Sequence, residues 1–316
     1  MEMDSKVHLE LKKFFSVMPK MNLSDTDALE NARKLSKEWV KTLPKDSSDD
    51  VLTLDKIIPG PTNSPEVSVR VFYPKERQER LPAVLWIHGG GYILGCLDLE
   101  NSICKSMVRE GNCVVVAVDY RLAPENPFPA GLEDCYAALL WIANSSESLG
   151  IDVGRIAVAG ASAGGGLTAA LALLARDRSG PTILFQMPLY PMIDDRNITP
   201  SSYEITDDRA WNRNTNMKAW EMYLGPNLFN VSPYAAPARA GNLSGLPPVY
   251  TCVGEVDLFR DEIIEYVAKL LQAGVPTEFH IYPGCFHACE IVVPDAEISK
   301  RVFNEYLRAL ARALHY

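Results

Sequence analysis

Residues 155–166 read RIAVAGASAGGG. They set one serine, Ser162, among alanines and glycines. Gly160-Ala161-Ser162-Ala163-Gly164 fits the pattern G-x-S-x-G, with a short apolar run before it and a helical pattern after it. In that context a strand turns sharply into a helix and lifts the serine hydroxyl above the carboxyl ends of the strands. Larger side chains at 160 and 164 would collide with neighbouring backbone, and the serine itself is expected to be strained. The helix starting near Gly164 points its positive end at a developing anion. The chemistry would be acyl transfer by a serine nucleophile. A tight packing seam of small residues is the competing reading.

A serine hydroxyl needs a base, and the base needs an orienting acid. Of the five histidines, His8 lies on a terminal helical pattern and His315 at a fraying C-terminal end. His280 sits inside a strand pattern as a packing position, and His88 closes a strand just before three glycines. His287, in YPGCFHACE, follows the last strand pattern in a glycine-containing loop, where a base reaches across the strand ends. Cys285 and Cys289 flank it but lack the further ligand pair a metal requires, so no metal is expected. The acid is expected from CVGEVDLFRDE. Asp261 and Glu262 fall in a first helical turn, where acidic residues are favourable in any case. Asp257 lies in the loop itself and is the expected acid. N-capping of a helix over 260–273 is its competing role, and Glu255 is the second choice. Gly89, Gly90 and Gly91, in WIHGGGYILG, are expected to offer amides to an oxyanion together with the amide of Ala163.

These loops need a frame that holds them together. EVSVRVFYP, residues 66–74, alternates as a half-buried strand. Apolar runs at 83–88, 113–120, 156–160, 183–190, 248–254 and 277–283 read as strands. Helical patterns near 99–110, 131–144, 164–177, 260–273 and 296–313 lie between and after them. The alternation predicts one doubly wound α/β domain with a mainly parallel sheet. Ahead of it, KVHLELKKFFSVM and the segment from Ser24 to Pro44 read as amphipathic helices, the second opened by a capping box from Ser24 to Asp27. Residues 192–225 are too long and polar for a simple connection, and Trp211, Trp220 and Tyr223 within them suggest a packed lid.

Hydrophobic residues make up 47% of the 316 and charged residues 22%, the balance of an ordinary globular protein. The net charge of −9 speaks against a nucleic-acid surface. No secretory leader and no membrane span are evident, so cytoplasmic residence is expected. The seven cysteines are an odd number without C-x-x-C spacing, and most are expected as buried free thiols.

HGGG, DYRLAPENPFPAGLEDC, GASAGGG, DLFRDE and FH, in this order, resemble the hormone-sensitive-lipase-like branch of the α/β-hydrolases over roughly residues 60–316. The resemblance implies an α/β-hydrolase fold with a helical cap. Residues 1–48 and 192–225 would form the cap, and residues 49–191 and 226–316 the core. It implies hydrolysis of short-to-medium acyl esters, a small-molecule substrate, no cofactor, and a possible homodimer through the outermost strand. It also places Tyr120, Arg121, Pro124 and Glu125 in a segment that braces the oxyanion loop, with Arg121 and Glu125 as a structural pair. Tyr92, Phe14, Phe15, Met18, Trp211 and Trp220 are candidates for the substrate pocket. Ala161, Leu258 and Ala288 stand where that branch commonly has aspartate, proline and glycine. Two other functions share the motifs. One is a receptor on a hydrolase fold, against which His287 speaks, because related plant receptors have lost the base. The other is amide or lactone hydrolysis by the same three residues.

Overall fold

The computed structural model describes residues 3–18, 20, 23, 26–42, 48–76 and 80–315. Its strands are β1 (Val51–Ile58), β2 (Val67–Pro74), β3 (Leu81–Ile87), β4 (Val114–Asp119), β5 (Ile151–Ala161), β6 (Phe185–Leu189), β7 (Val249–Val256) and β8 (Thr277–Phe286). The helices before and within the first half are α1 (Met3–Lys6), α2 (Leu9–Phe15), α3 (Thr26–Thr42), α4 (Asn101–Gly111), α5 (Ala130–Asn144), α6 (Ser146–Leu149) and α7 (Ala163–Asp177). The later ones are α8 (Pro200–Glu204), α9 (Arg213–Leu224), α10 (Arg260–Gln272), α11 (Cys289–Val292) and α12 (Glu297–His315).

The strands form a single sheet in the order β1-β2-β4-β3-β5-β6-β7-β8. β2 runs antiparallel to both β1 and β4, and every pair from β4 onward is parallel. This is the expected α/β architecture, because strands buried on both faces carry unbroken apolar runs. β3 and β6 are buried along their whole length, and so is β4 up to Asp119. β1 is the strand that periodicity missed. Only Val51 and Ile58 at its two ends are buried, and the six residues between them are exposed. An edge strand with both faces in water leaves no apolar alternation to read.

Helices α4 and α12 pack on each other on one face of the sheet, and α5 and α7 on the other. α7 is buried from Ala163 through Ala175. Its run of alanine, glycine and leucine lets it sit close to β3, β5 and β6 with no polar face to solvate.

The N-terminal helices and the 192–225 segment lie against each other. Asp4 pairs with Arg209, whose guanidinium also stacks on Phe15, and Lys6 pairs with Glu204. Trp211, Trp220 and Tyr223 are buried, so this segment is packed and is not a solvated excursion. The capping box at Ser24 and the closing Pro44 lie outside the described residues.

Arg121 and Glu125 do not pair. Arg121 makes three side-chain bonds to the fully buried Asp134 of α5, and the same carboxylate accepts the Arg121 amide at 2.9 Å. Glu125 instead meets Arg33 of α3. A buried carboxylate needs a charged partner and several donors. Asp134 has both beside it, whereas Glu125 faces water and the N-terminal helix. Asp134→Ala, which leaves Arg121 unpaired, is expected to lower unfolding stability by about 2 kcal/mol in a denaturant titration, at the modest end because Arg121 is partly solvated.

Candidate active site

Everything in the site hangs on the turn between β5 and α7. Ser162 adopts φ +56° and ψ −119°, a region side chains avoid. Three backbone bonds hold it there. Its amide donates to Leu189 O at 2.9 Å, and its carbonyl accepts from Met192 N at 3.0 Å and Gly166 N at 2.9 Å. The flanking glycines are steric necessities. A Cβ on Gly164 would lie 2.0 Å from Ile87 O, and one on Gly160 would lie 2.5 Å from Gly164 O. The helix can therefore start directly against the end of β3 only with glycine at both positions. The packing-seam reading and the elbow reading describe one object.

His287 and Asp257 arrive from the neighbouring strand ends. His287 Nε2 lies 2.9 Å from Ser162 Oγ, and its Nδ1 lies 2.8 Å from Asp257 Oδ2. A carboxylate only accepts hydrogen bonds, so Nδ1 carries the proton and Nε2 is free to accept from the serine hydroxyl. Asp257 is 1% exposed and uses its other oxygen, Oδ1, to accept from Phe259 N at 3.0 Å. It thus caps the entry to α10 and orients His287 at once. Glu255, the second choice, turns elsewhere: its Oε2 accepts from Gly284 N at 2.9 Å and steadies the end of β8. The imidazole lies between two aromatic edges, Tyr190 and Phe259, each with its ring centroid 5.1 Å away. Ala288, directly after it, has φ +56°, a left-handed conformation that glycine adopts without strain and alanine does not.

The glycine loop packs onto this turn. A Cβ on Gly89 would touch Ala161 O and Ser162 Cβ, so the loop and the elbow are in contact where the related aspartate is missing. Among the described residues, the amides of Gly89, Gly90, Gly91 and Ala163 donate to no backbone carbonyl. They are available to a ligand. Beneath the loop, His88 is buried and stacked on Tyr120 with centroids 4.2 Å apart, and the Tyr120 hydroxyl donates to His88 O. From outside, Arg33 of α3 donates to Ile93 O and Ala123 O.

The remaining histidines are engaged elsewhere. His8 N-caps α2, and His280, half-exposed, packs its ring against Tyr250 and Tyr282 as expected and also pairs with Glu278. His315 bonds Gly111 O and does not fray.

The pocket candidates separate into two groups. The Trp211 indole sits against Gly91, where a Cβ would meet its ring at 2.3 Å, and Phe15 packs on Phe286 next to the base. Met18 is half-buried against the core. The others are held in packing contacts or turn to solvent. Tyr92 is buried, with its hydroxyl on Met192 O and its ring stacked on Tyr223; Trp220 packs against Tyr92, and Phe14 faces solvent. Apolar type alone did not distinguish packing from lining. Sequence reasoning also missed Tyr190, Phe259 and Glu290, which surround the base. Phe259 and Glu290 sit within the quoted DLFRDE and YPGCFHACE stretches, but neither residue type announces a role there, and only strand adjacency could have flagged Tyr190. Asp261 and Glu262 do more than favour a helix terminus, since Asp261 accepts from Ser201 N and Glu262 from the amides of Ile193 and Asp194.

Three comparisons bear on this geometry. A family model described as alpha/beta hydrolase fold matches residues 84–291. The chain is 38% identical to the esterase LipI of Mycobacterium tuberculosis over 309 residues, covering 96% of this chain and 94% of that one. It is 36% identical to the carboxylesterase NlhH of the same organism, covering 96% and 95%. Among solved structures, a bacterial heroin esterase superposes with a TM-score of 0.95 at 40% identity and full coverage of both chains.

Burial holds the His88 imidazole down to about 4, only partly offset by its bond to Gly89 O. A histidine whose folded value lies below its unfolded value loses stability as pH falls from the unfolded value toward the folded one. Between pH 6.5 and 4 the protein is therefore expected to lose about 3 kcal/mol through this residue. Urea titrations across that window should show this component in the native chain and its absence in His88→Asn.

Proposed function

Since the chain belongs to the α/β-hydrolase family, in its hormone-sensitive-lipase-like branch, and is a hydrolase of the carboxylesterase type, we propose that it cleaves short-to-medium acyl esters through Ser162, His287 and Asp257. The observation that supports this most directly is the hydrogen-bonded line from Asp257 Oδ2 through both nitrogens of His287 to Ser162 Oγ. As Ser162 Oγ attacks the ester carbonyl, its proton passes to His287 Nε2. The imidazolium that forms is held by Asp257, which keeps Nδ1 protonated and the ring in register. The carbonyl oxygen, now anionic, takes hydrogen bonds from the free amides of the 89–91 loop and of Ala163, at the positive end of α7. His287 then protonates the leaving alcohol. Water, deprotonated by the same nitrogen, releases the acyl group and restores the serine.

The N-terminal helices and the 192–225 segment are read as one cap over this centre. Trp211 brings the cap to the oxyanion loop, and Phe15 brings it to the base. No whole small molecule is named by this arrangement, but an apolar acyl chain of modest length suits walls of indole and phenyl rings. The triad would act on an activated lactone by the same steps.

With p-nitrophenyl acetate, the native chain is expected to show a burst of p-nitrophenol equal to the enzyme concentration, or steady turnover if deacylation is fast. Ser162→Ala should abolish both, and His287→Ala should be about as damaging, because the members act as a unit. Asp257→Asn should lower kcat by about 10⁴, by the logic of a serine protease triad. Turnover retained by Ser162→Ala overturns the reading, and a greater loss in Glu255→Gln than in Asp257→Asn overturns the choice of acid.

A further inference from the structure

We propose that Glu290, acting through Tyr190, is a positioning residue for His287: a second carboxyl beside Asp257 that holds the edge of the imidazole and stabilises its protonated form. The inference rests on His287 being the base.

Glu290 lies on α11, three residues beyond His287, so one short loop carries both groups. It is 4% exposed, and the one side-chain hydrogen bond it accepts is from the Tyr190 hydroxyl at 2.5 Å. Tyr190 stands just past the end of β6 with φ +33°, tied by its amide to Cys252 O at 2.9 Å. From there its ring meets the His287 ring edge-on, at 79° between planes, and its hydroxyl reaches the carboxylate behind it. Phe259 presses on the imidazole at 76°. Removal of the Tyr190–Glu290 bond would leave that edge of the imidazole without a fixed support.

A carboxyl buried without a basic partner is costly, and a chain that keeps one there has a use for its charge. The titratable groups that face it come from several elements. They are Tyr190 after β6, Cys252 of β7, Asp257 after β7, Tyr282 and Cys285 of β8, His287 just past its end, Cys289 of α11, and Tyr306 of α12. Of these only His287 can carry positive charge. Burial and the charge of Asp257 hold the Glu290 carboxyl above its usual range, while the Tyr190 hydroxyl and a charged His287 draw it down. The coupling is reciprocal: an ionised Glu290 favours imidazolium. Tyr190, Asp257 and Glu290 also share a cavity of about 10 Å³, the lower limit for a single water, so little solvent screens the interaction.

The sign of the effect follows. kcat/KM rises with pH as the base becomes neutral, and a nearby carboxylate moves that limb to higher pH. In Glu290→Gln the acid limb is expected about half a pH unit lower than in the native chain, with kcat down about tenfold and KM little changed. Tyr190→Phe should show the same loss of kcat and a limb displaced in the same direction. An unmoved limb in Glu290→Gln overturns the proposal, whether kcat is retained or lost, because loss alone is what a merely structural role would give. If that variant does not fold, the limb of Tyr190→Phe decides in its place. His287→Ala run alongside separates the two readings: if it stays active, the base is misassigned, and if it is dead while Glu290→Gln behaves as native, only the Glu290 role falls.

Discussion

The backbone at Ser162 is the constraint on which the site depends. A parallel strand must become a helix within one residue, and it does so with a non-glycine side chain in a strained conformation. That is possible only if nothing larger than hydrogen projects from 160 and 164 toward the end of β3. Once the turn is made, the rest follows from parallel pairing. β5, β6, β7 and β8 lie side by side and point the same way, so the loops leaving them open on one edge of the sheet. Ser162, Tyr190, Asp257 and His287 come from four successive loops on that edge. Residues 125 and 30 positions apart in the chain become hydrogen-bonded neighbours without any long-range device beyond the sheet itself.

The strain is not confined to the serine. Among the described residues eight non-glycine positions have positive φ, and Tyr92, Ser162, Tyr190 and Ala288 are four of them. These four lie in the glycine loop after β3, the turn between β5 and α7, the residue after β6 and the residue after His287. Each such position costs of order 1–3 kcal/mol and persists only where the surroundings over-determine it. Here the surroundings are specific. The Ser162 carbonyl accepts two amides, Tyr92 is held by Met192 O and Ala123 N, and Tyr190 is held by Cys252 O and Glu290. Strain and hydrogen bonding are therefore two sides of one preorganised site, rigid before any substrate enters.

Most of this frame was legible in the residues. Unbroken apolar runs located every strand buried on both faces, and helical periodicity located the long helices other than α9 to within a few positions. The convergence of Ser162, His287 and Asp257 was legible because each sits in a loop of constrained composition after a strand. What escaped reading obeys no period. β1 has both faces in water, so its sequence carries no burial pattern. The Arg121–Asp134 and Arg33–Glu125 pairs were missed because charge says that a partner exists and not which one. The aromatic residues divided between packing and lining only once α9 was in place, since a buried tyrosine and a pocket tyrosine have the same composition. Asp257 was weighed as either cap or acid, and the structure gives its two oxygens one task each.

The position of the 192–225 segment is tied to the site from within. Ser201 at the start of α8 donates to Leu258 O and accepts from Asp261 N, while Asp261 in turn accepts from Ser201 N. Leu258 is the residue after Asp257. Glu262, one position further along α10, accepts the amides of Ile193 and Asp194 where the segment leaves the sheet. On the other side, His8 N donates to Gly284 O in the strand that carries the base, and Arg33 donates to the loop beyond the glycines. Both segments thus bond directly to backbone one to a few residues from Asp257, His287 and the 89–91 loop. A rigid triad with an independently mobile cover would need no such bonds. These bonds make any displacement of either segment a displacement of the backbone beside Asp257, His287 and the 89–91 loop, so the seating of both segments and the alignment of Ser162, His287 and Asp257 are set by the same contacts.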